Sequence, residues 1–185
     1  PSAGLKIANK SVGIAITDND GEVKDYLSIV EAKALPLNSV VTVTGRITVA
    51  MEIGGPAYFQ DPTGGLAVFE NPLHLAVAIG DSVKITGPLT EYGQKGSNPL
   101  TTPNGEPGTG LFQISGAGVT FQVFKDNNKP VEPKIVTIAD IGESLEGQLI
   151  KIRNATVDFV GAFGSNKNYT ISDPSGSLNL GLRID

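Results

Sequence analysis

The chain has 185 residues, a formal charge of −5, a pI near 4.9, 39% apolar residues and no cysteine. That length suits one large domain or two small ones, and the apolar fraction is enough for a packed core. The acidic balance argues against strong nonspecific nucleic-acid binding, which draws its affinity from neutralising phosphates; the missing cysteines exclude disulfides, thiolate metal sites and cysteine nucleophiles.

Gly 23 and Pro 12 punctuate the chain too often for long helices and favour a turn-rich, all-β protein. No apolar run approaches the roughly 18 residues of a membrane span. The chain opens at Pro1 without Met or a visible signal peptide, which reads as a processed or excised piece.

In chain order, "SVGIAITDNDGEVKDY" comes first and reads as a strand, an Asn-Asp-Gly turn and a return strand, an N-terminal β segment over 1–27. Asp18, Asp20 and Glu22 around Gly21 invite a calcium reading. An EF-hand would need acids where Ile16 and Leu27 stand, so the hairpin turn is the better account. "VGIAITDNDG" resembles the closing strand of Calx-β domains; the resemblance implies a piece cut from a larger modular protein just after such a domain.

Next comes a repeat. "SIVEA" at Ser28–Ala32 matches "TIADI" at Thr137–Ile141, and "VVTVTGRIT" at Val40–Thr48 matches "LIKIRNATV" at Leu149–Val157, both 109 residues on. "YFQDPTGGLAVF", Tyr58–Phe69, then returns as "TISDPSGSLNLG", Thr170–Gly181, 112 residues on. Order and spacing kept over three blocks mark two copies of one β unit. Val41, Val43, Ile47 and Val49 alternate with Thr42, Thr44, Arg46 and Thr48, the period of a half-buried strand. Gly45 within it predicts a bulge or bend. Asp61-Pro62-Thr63-Gly64 fits a type I turn: Asp bonds back to the backbone, Pro fixes φ and Gly suits the last place. Asp173-Pro174-Ser175-Gly176 has the same chemistry.

A short helix is expected over Leu73–Ala78, and a fourth strand over Val83–Thr86, broken by Gly87 and Pro88. Residues 93–110 read as a long exposed loop, Leu111–Phe124 as the last strand or two, and 125–134 as a polar linker. Strand, hairpin, strand, short helix and two more strands is the order of a five-stranded Greek-key barrel, the OB-fold. The expected fold is therefore all-β, with two tandem OB-like units at 28–124 and 135–185. The second is partial, ending after its third strand.

The stretch from Ser28 to Glu70, with "IGDSVKITGPL" after it, resembles the OB-fold-like accessory domains of bacterial secreted and surface proteins, which sit beside extracellular endonucleases and in modular cell-surface proteins. The resemblance implies an exported, noncatalytic module with neighbouring domains as partners. It implies no ligand, because OB-folds host many functions.

The chemistry-bearing residues add little. His74 is the sole histidine, lies in "NPLHLAV" and has no Gly-x-Ser-x-Gly elbow to serve; a surface or cap position in the short helix is expected. No catalytic residue, metal site or cofactor is assigned. "GGPAYFQDPTGG" lacks the Lys-Ser/Thr of a phosphate loop, and the sequons at Asn9, Asn154 and Asn168 read as incidental matches. What remains is a face. Matching the copies sets Phe59, Leu66 and Val68 inward, with Tyr58, Gln60, Ala67 and Phe69 outward beside Arg46. Arg46, Tyr58, Gln60 and Phe69, extended by Tyr92 and Lys95, make a candidate platform for stacking a base of single-stranded nucleic acid or a sugar ring of a polysaccharide. The competing expectation is that this face packs on the N-terminal segment, the long loop or the second unit. The second copy has Arg153, Thr170, Ser172 and Asn179 there, so at most one such face is expected.

Overall fold

The computed structural model describes residues 24–92, 110–125, 129–158 and 167–184, with only the backbone of residues 71, 167–168 and 179–184. The N-terminal segment up to residue 23, its acidic turn, the loop 93–109 with Lys95, and Asn9 lie outside the described residues.

The alternation in the sequence becomes a closed barrel. Strand β1 (Val40–Val49) runs antiparallel to β2 (Ala57–Asp61) and to β4 (Ser82–Tyr92). Strand β2 pairs with β3 (Gly64–Phe69), and β4 with β5 (Leu111–Ser115). A parallel pairing of β3 with β5 closes the ring. Five strands in this order are compatible with an OB-like fold. The inward positions Val41, Val43, Ile47, Phe59, Leu66, Val68, Val83, Ile85, Leu89 and Ile114 are all buried. Each such large aliphatic or aromatic side chain contributes about 1.5–3 kcal/mol by leaving water.

Gly45 sits where β1 changes partner. Its N-terminal part pairs with β4 and its C-terminal part with β2. A Cβ at residue 45 would lie 2.7 Å from the Gln60 carbonyl oxygen and 2.8 Å from the Phe59 ring. Close approach of backbone to backbone, rather than an unusual φ, is what requires glycine there.

Gly87 and Pro88 do not break the fourth strand, contrary to expectation. Strand β6 (Thr120–Phe124) pairs with β4 up to Thr86, and β5 pairs with it from Leu89. The interval is bridged by Gly116–Val119, where Gly116 (φ 109) and Gly118 (φ 88) take left-handed turns. Leu89 N–H donates to Ser39 O toward β1, so the nitrogen of Pro88 faces this gap, where no ladder bond is needed.

Helix α2 (Asn71–Ala76) carries Pro72 in its first turn, where a missing N–H costs nothing. His74 on it is buried at 7% exposure rather than at the surface, and its Nε2 accepts the Ala57 N–H at 3.2 Å. A short helix α1 (Ile29–Lys33) precedes β1, with Ser28 and Glu31 forming a reciprocal capping box.

The second half repeats the main contacts of this local geometry. Before α1, Leu27 bridges Val43 in parallel; in the second half β7 (Lys134–Val136) runs parallel to β8 (Ile150–Ile152), with Val136 opposite Ile152. Thr137 and Asp140 form the matching capping box on a 3-10 turn, Ile138–Asp140. Asp61 Oδ1 accepts from Thr63 N, Thr63 Oγ and Gly64 N, while Oδ2 reaches across to cap α1 at Ile29 N, 2.9 Å away. Asp173 does the same with Ser175 and with Ile138 N, also at 2.9 Å. The turn therefore also holds the helix N-terminus. Neither Thr63 nor Ser175 has a positive φ, in keeping with a type I turn.

Beyond this, β9 (Thr156–Asp158), β10 (Lys167–Asp173) and β11 (Gly176–Ile184) form a three-stranded sheet. The 109-residue spacing slips by one within it: Ile171 faces Val157, whereas its counterpart Phe59 faces Ile47. The extra residue is taken up around Asn154, which stands where the first copy has Gly45 and adopts a left-handed φ of 56. Asn tolerates that region better than most residues.

Candidate functional site

The outward side of β1, β2 and β3 follows from the register. Arg46 lies opposite Gln60, Tyr58 opposite Ala67, and Gln60 opposite Gly65. Arg46, Tyr58 and Gln60 thus share one side of the sheet, as the alternation indicates. What the alternation does not show is what lies over them.

Ala67 is fully buried, so its position on the outer face does not expose it. The cover is the segment that enters β8, which contains a second 3-10 turn, Glu143–Leu145, followed by residues 146–149. Gly65 and Gly147 meet backbone to backbone; a Cβ on Gly65 would fall 2.1 Å from the Gly147 carbonyl oxygen. Gly147 turns there with φ 73, and its counterpart in the first half, Asn38, has φ 71. Gln60 Oε1 accepts the Leu149 N–H at 2.8 Å. Glu146 Oε1 accepts from Lys33 Nζ at 3.2 Å and from Phe112 N at 3.0 Å, and Lys33 lies 5.7 Å over the Phe112 ring. These contacts form a seam between the halves.

The seam perturbs two groups. Burial pushes the Tyr58 hydroxyl above its ordinary value, and the nearby Glu146 charge adds to the rise. Burial also raises the Glu146 carboxyl, against the opposing pull of Lys33 and the Phe112 N–H.

The other candidates lie apart. Phe69 is half exposed and sets its ring edge-on to His74, centroids 6.2 Å apart. Tyr92 is exposed at the far end of β4, opposite Leu111. The structure brings together Arg46 and Gln60 and places Tyr58 beside the seam. Arg46 Nη1 donates to the Gly80 carbonyl at 2.8 Å.

Next to Arg46 and Gln60 is a cleft of about 520 Å³, whose walls include Thr44, Ser82, Phe124 and Val131. Sequence reasoning missed Phe124. The signal was available in "TFQVF", where it occupies an outward place in the alternation. Among the described residues no three His, Cys, Asp or Glu side chains gather as metal ligands, and no helix is long and apolar enough to cross a membrane.

Comparison with protein-family models, curated proteins and solved structures found no match.

Proposed function

We propose that the chain is a noncatalytic module of an exported bacterial multidomain protein, spacing its neighbouring domains and binding an extended polymer weakly on the side its second half leaves open. The observation that carries this reading is the seam: the face an OB-like barrel commonly offers to ligands, β2 and β3, is covered here by Gly147 and its neighbours. A barrel that spends this face on its own chain behaves first as a rigid structural piece. The closed five-stranded barrel supports the resemblance to OB-fold-like accessory domains, and the repeated Asp61 and Asp173 networks support reading 135–185 as a second, partial unit of the same kind.

Incubation with single-stranded DNA and with soluble polysaccharides, with and without divalent cations, is expected to leave polymer length unchanged; shortening of either would overturn the noncatalytic reading. Tyr58→Ala is expected to leave retention on both polymers as in the intact protein, since the ring lies at the seam. A purely structural interdomain or adhesion role is the reading that stands if neither polymer is retained at low salt.

A further inference from the structure

We propose that the cleft beside Arg46 binds an uncharged, hydroxyl-rich polymer, a neutral polysaccharide, with Phe124 as the surface on which a sugar ring lies. This rests on the noncatalytic binding reading above and names its site and ligand class; it makes no use of Tyr58, Phe69 or Tyr92.

The site is built by register. Gln60 stands opposite Arg46, Arg46 opposite Ser82, and Ser82 opposite Phe124. These four outward residues form one row across β2, β1, β4 and β6. Three strand-to-strand steps of about 4.8 Å give a floor roughly 14 Å long, longer than a single ring and suited to a short stretch of chain. Thr44 lines the same cleft from the next outward place on β1, and Val131 closes it from the segment after β6. The volume, about 520 Å³, lies within the usual range for ligand sites.

Phe124 is 47% exposed. An isolated exposed ring is ordinary on a protein surface; this one lines a cleft whose exposed surface is mostly apolar, with Pro62, Val83 and Val131 beside it and Thr44, Arg46 and Gln60 as polar points. An aromatic face beside hydroxyl and amide groups matches a sugar ring, which has apolar C–H faces and a polar rim. Thr44 carries a hydroxyl able to donate and accept, and Gln60, with its oxygen held by Leu149 N, offers its NH2 as donor.

Charge selects against a polyanion. Arg46 and Asp61, both in the lining of the cleft, carry opposite charges, while Lys84 pairs with Asp25 and Lys125 pairs with Asp81 at 2.6 Å. Asp61 at the rim has both oxygens filled by backbone and hydroxyl donors. With a net charge of −5, the surroundings give a phosphate backbone little to neutralise.

The test is affinity electrophoresis of the whole chain through gels containing hydroxyethyl cellulose, xylan or a soluble β-glucan, with oligo-dT and polygalacturonate as charged controls. Retardation by at least one neutral polymer, little changed between low and high salt, is expected. Phe124→Ala should weaken it roughly tenfold, as the loss of one stacked ring predicts, while Phe124→Tyr keeps it. Phe124→Leu, which preserves apolar bulk in the strand, should behave like the alanine variant; equal retardation of Phe124→Leu and the intact chain would overturn the proposal. So would retardation by no neutral polymer, or by the charged ones alone. Shortening of a polymer would instead sink the noncatalytic reading and leave the site standing.

Discussion

Gly65→Ala tests the seam directly. The new Cβ would lie 2.1 Å from the Gly147 carbonyl oxygen, 2.2 Å from its carbon and 2.6 Å from the Gln148 nitrogen. All three are backbone atoms, so no side chain can swing aside. Ordinary contact begins near 3.4 Å, so the 146–149 segment must retreat by more than an ångström. That distance removes the Gln60–Leu149 hydrogen bond and stretches the contacts of Glu146 with Lys33 and Phe112 N. One neutral bond and two charge-assisted ones, partly screened by solvent, sum to about 2–4 kcal/mol. In a chain of this size that corresponds to a fall in Tm of roughly 5–15 °C if the halves melt together. The more specific readout is Tyr58. Its hydroxyl is held above the ordinary value of 10.0 by burial first and by Glu146 second, and retreat of the segment weakens both causes. Absorbance titration of the intact protein, with Tyr58→Phe to identify the late-titrating tyrosine, should show that tyrosine moving down toward 10 in Gly65→Ala. The sign for stability follows: the folded state holds this proton more tightly, so the contribution is present below pH 10 and fades as pH rises through the raised value. A Gly65→Ala protein with unchanged melting and unchanged tyrosine titration would refute the seam.

Two further outcomes follow from the turn network. Asp61→Asn keeps an oxygen for the three donors of the turn but sets an NH2 against Ile29 N–H, costing about 1–2 kcal/mol; Asp61→Ala loses both roles and costs about 2–4 kcal/mol, read from urea midpoints. An Asp61→Asn midpoint equal to that of the intact protein would show that Oδ2 does not cap α1. Hydrogen bonds from Ser175, Ile138 N and Gly176 N hold the Asp173 carboxyl below its ordinary value, and Thr137 does the same for Asp140. Stability from these groups is present above pH 3.8 and lost as pH falls through their lowered values, so Asp173→Asn should flatten the acid limb of a stability–pH profile.

Much of the barrel was legible because its rules are local. Period-two alternation sorted Val41, Val43, Phe59, Leu66 and Val68 inward, and proline and glycine marked the turns. The departures arise where a neighbour distant in sequence decides. Pro88 looks like a strand end until the gap between β5 and β6 is seen opposite it. His74 looks superficial until the Ala57 N–H is found at its ring. Ala67 and Tyr58 alternate outward correctly, yet no local pattern announces that residues 146–149 will lie over them. The nearest signal was a pair of glycines, Gly65 and Gly147, with no turn role for the first.

The repeated phrase carries more than a hairpin. A type I turn needs only one oxygen of its aspartate, and Asp61 Oδ1 supplies it. The other oxygen reaches back 32 residues to Ile29 N, and Asp173 reaches back 35 to Ile138 N. Those bonds form only once the hairpin has docked beside the capped turn that precedes the first strand. The sequence thus keeps a tertiary contact in both copies, with the capping boxes Ser28–Glu31 and Thr137–Asp140 as its other half. Residues 129–184 make this contact with no counterpart of β4 or β5 among the described residues. Cap, first strand and hairpin are therefore the part of the architecture that the two halves share among the described residues.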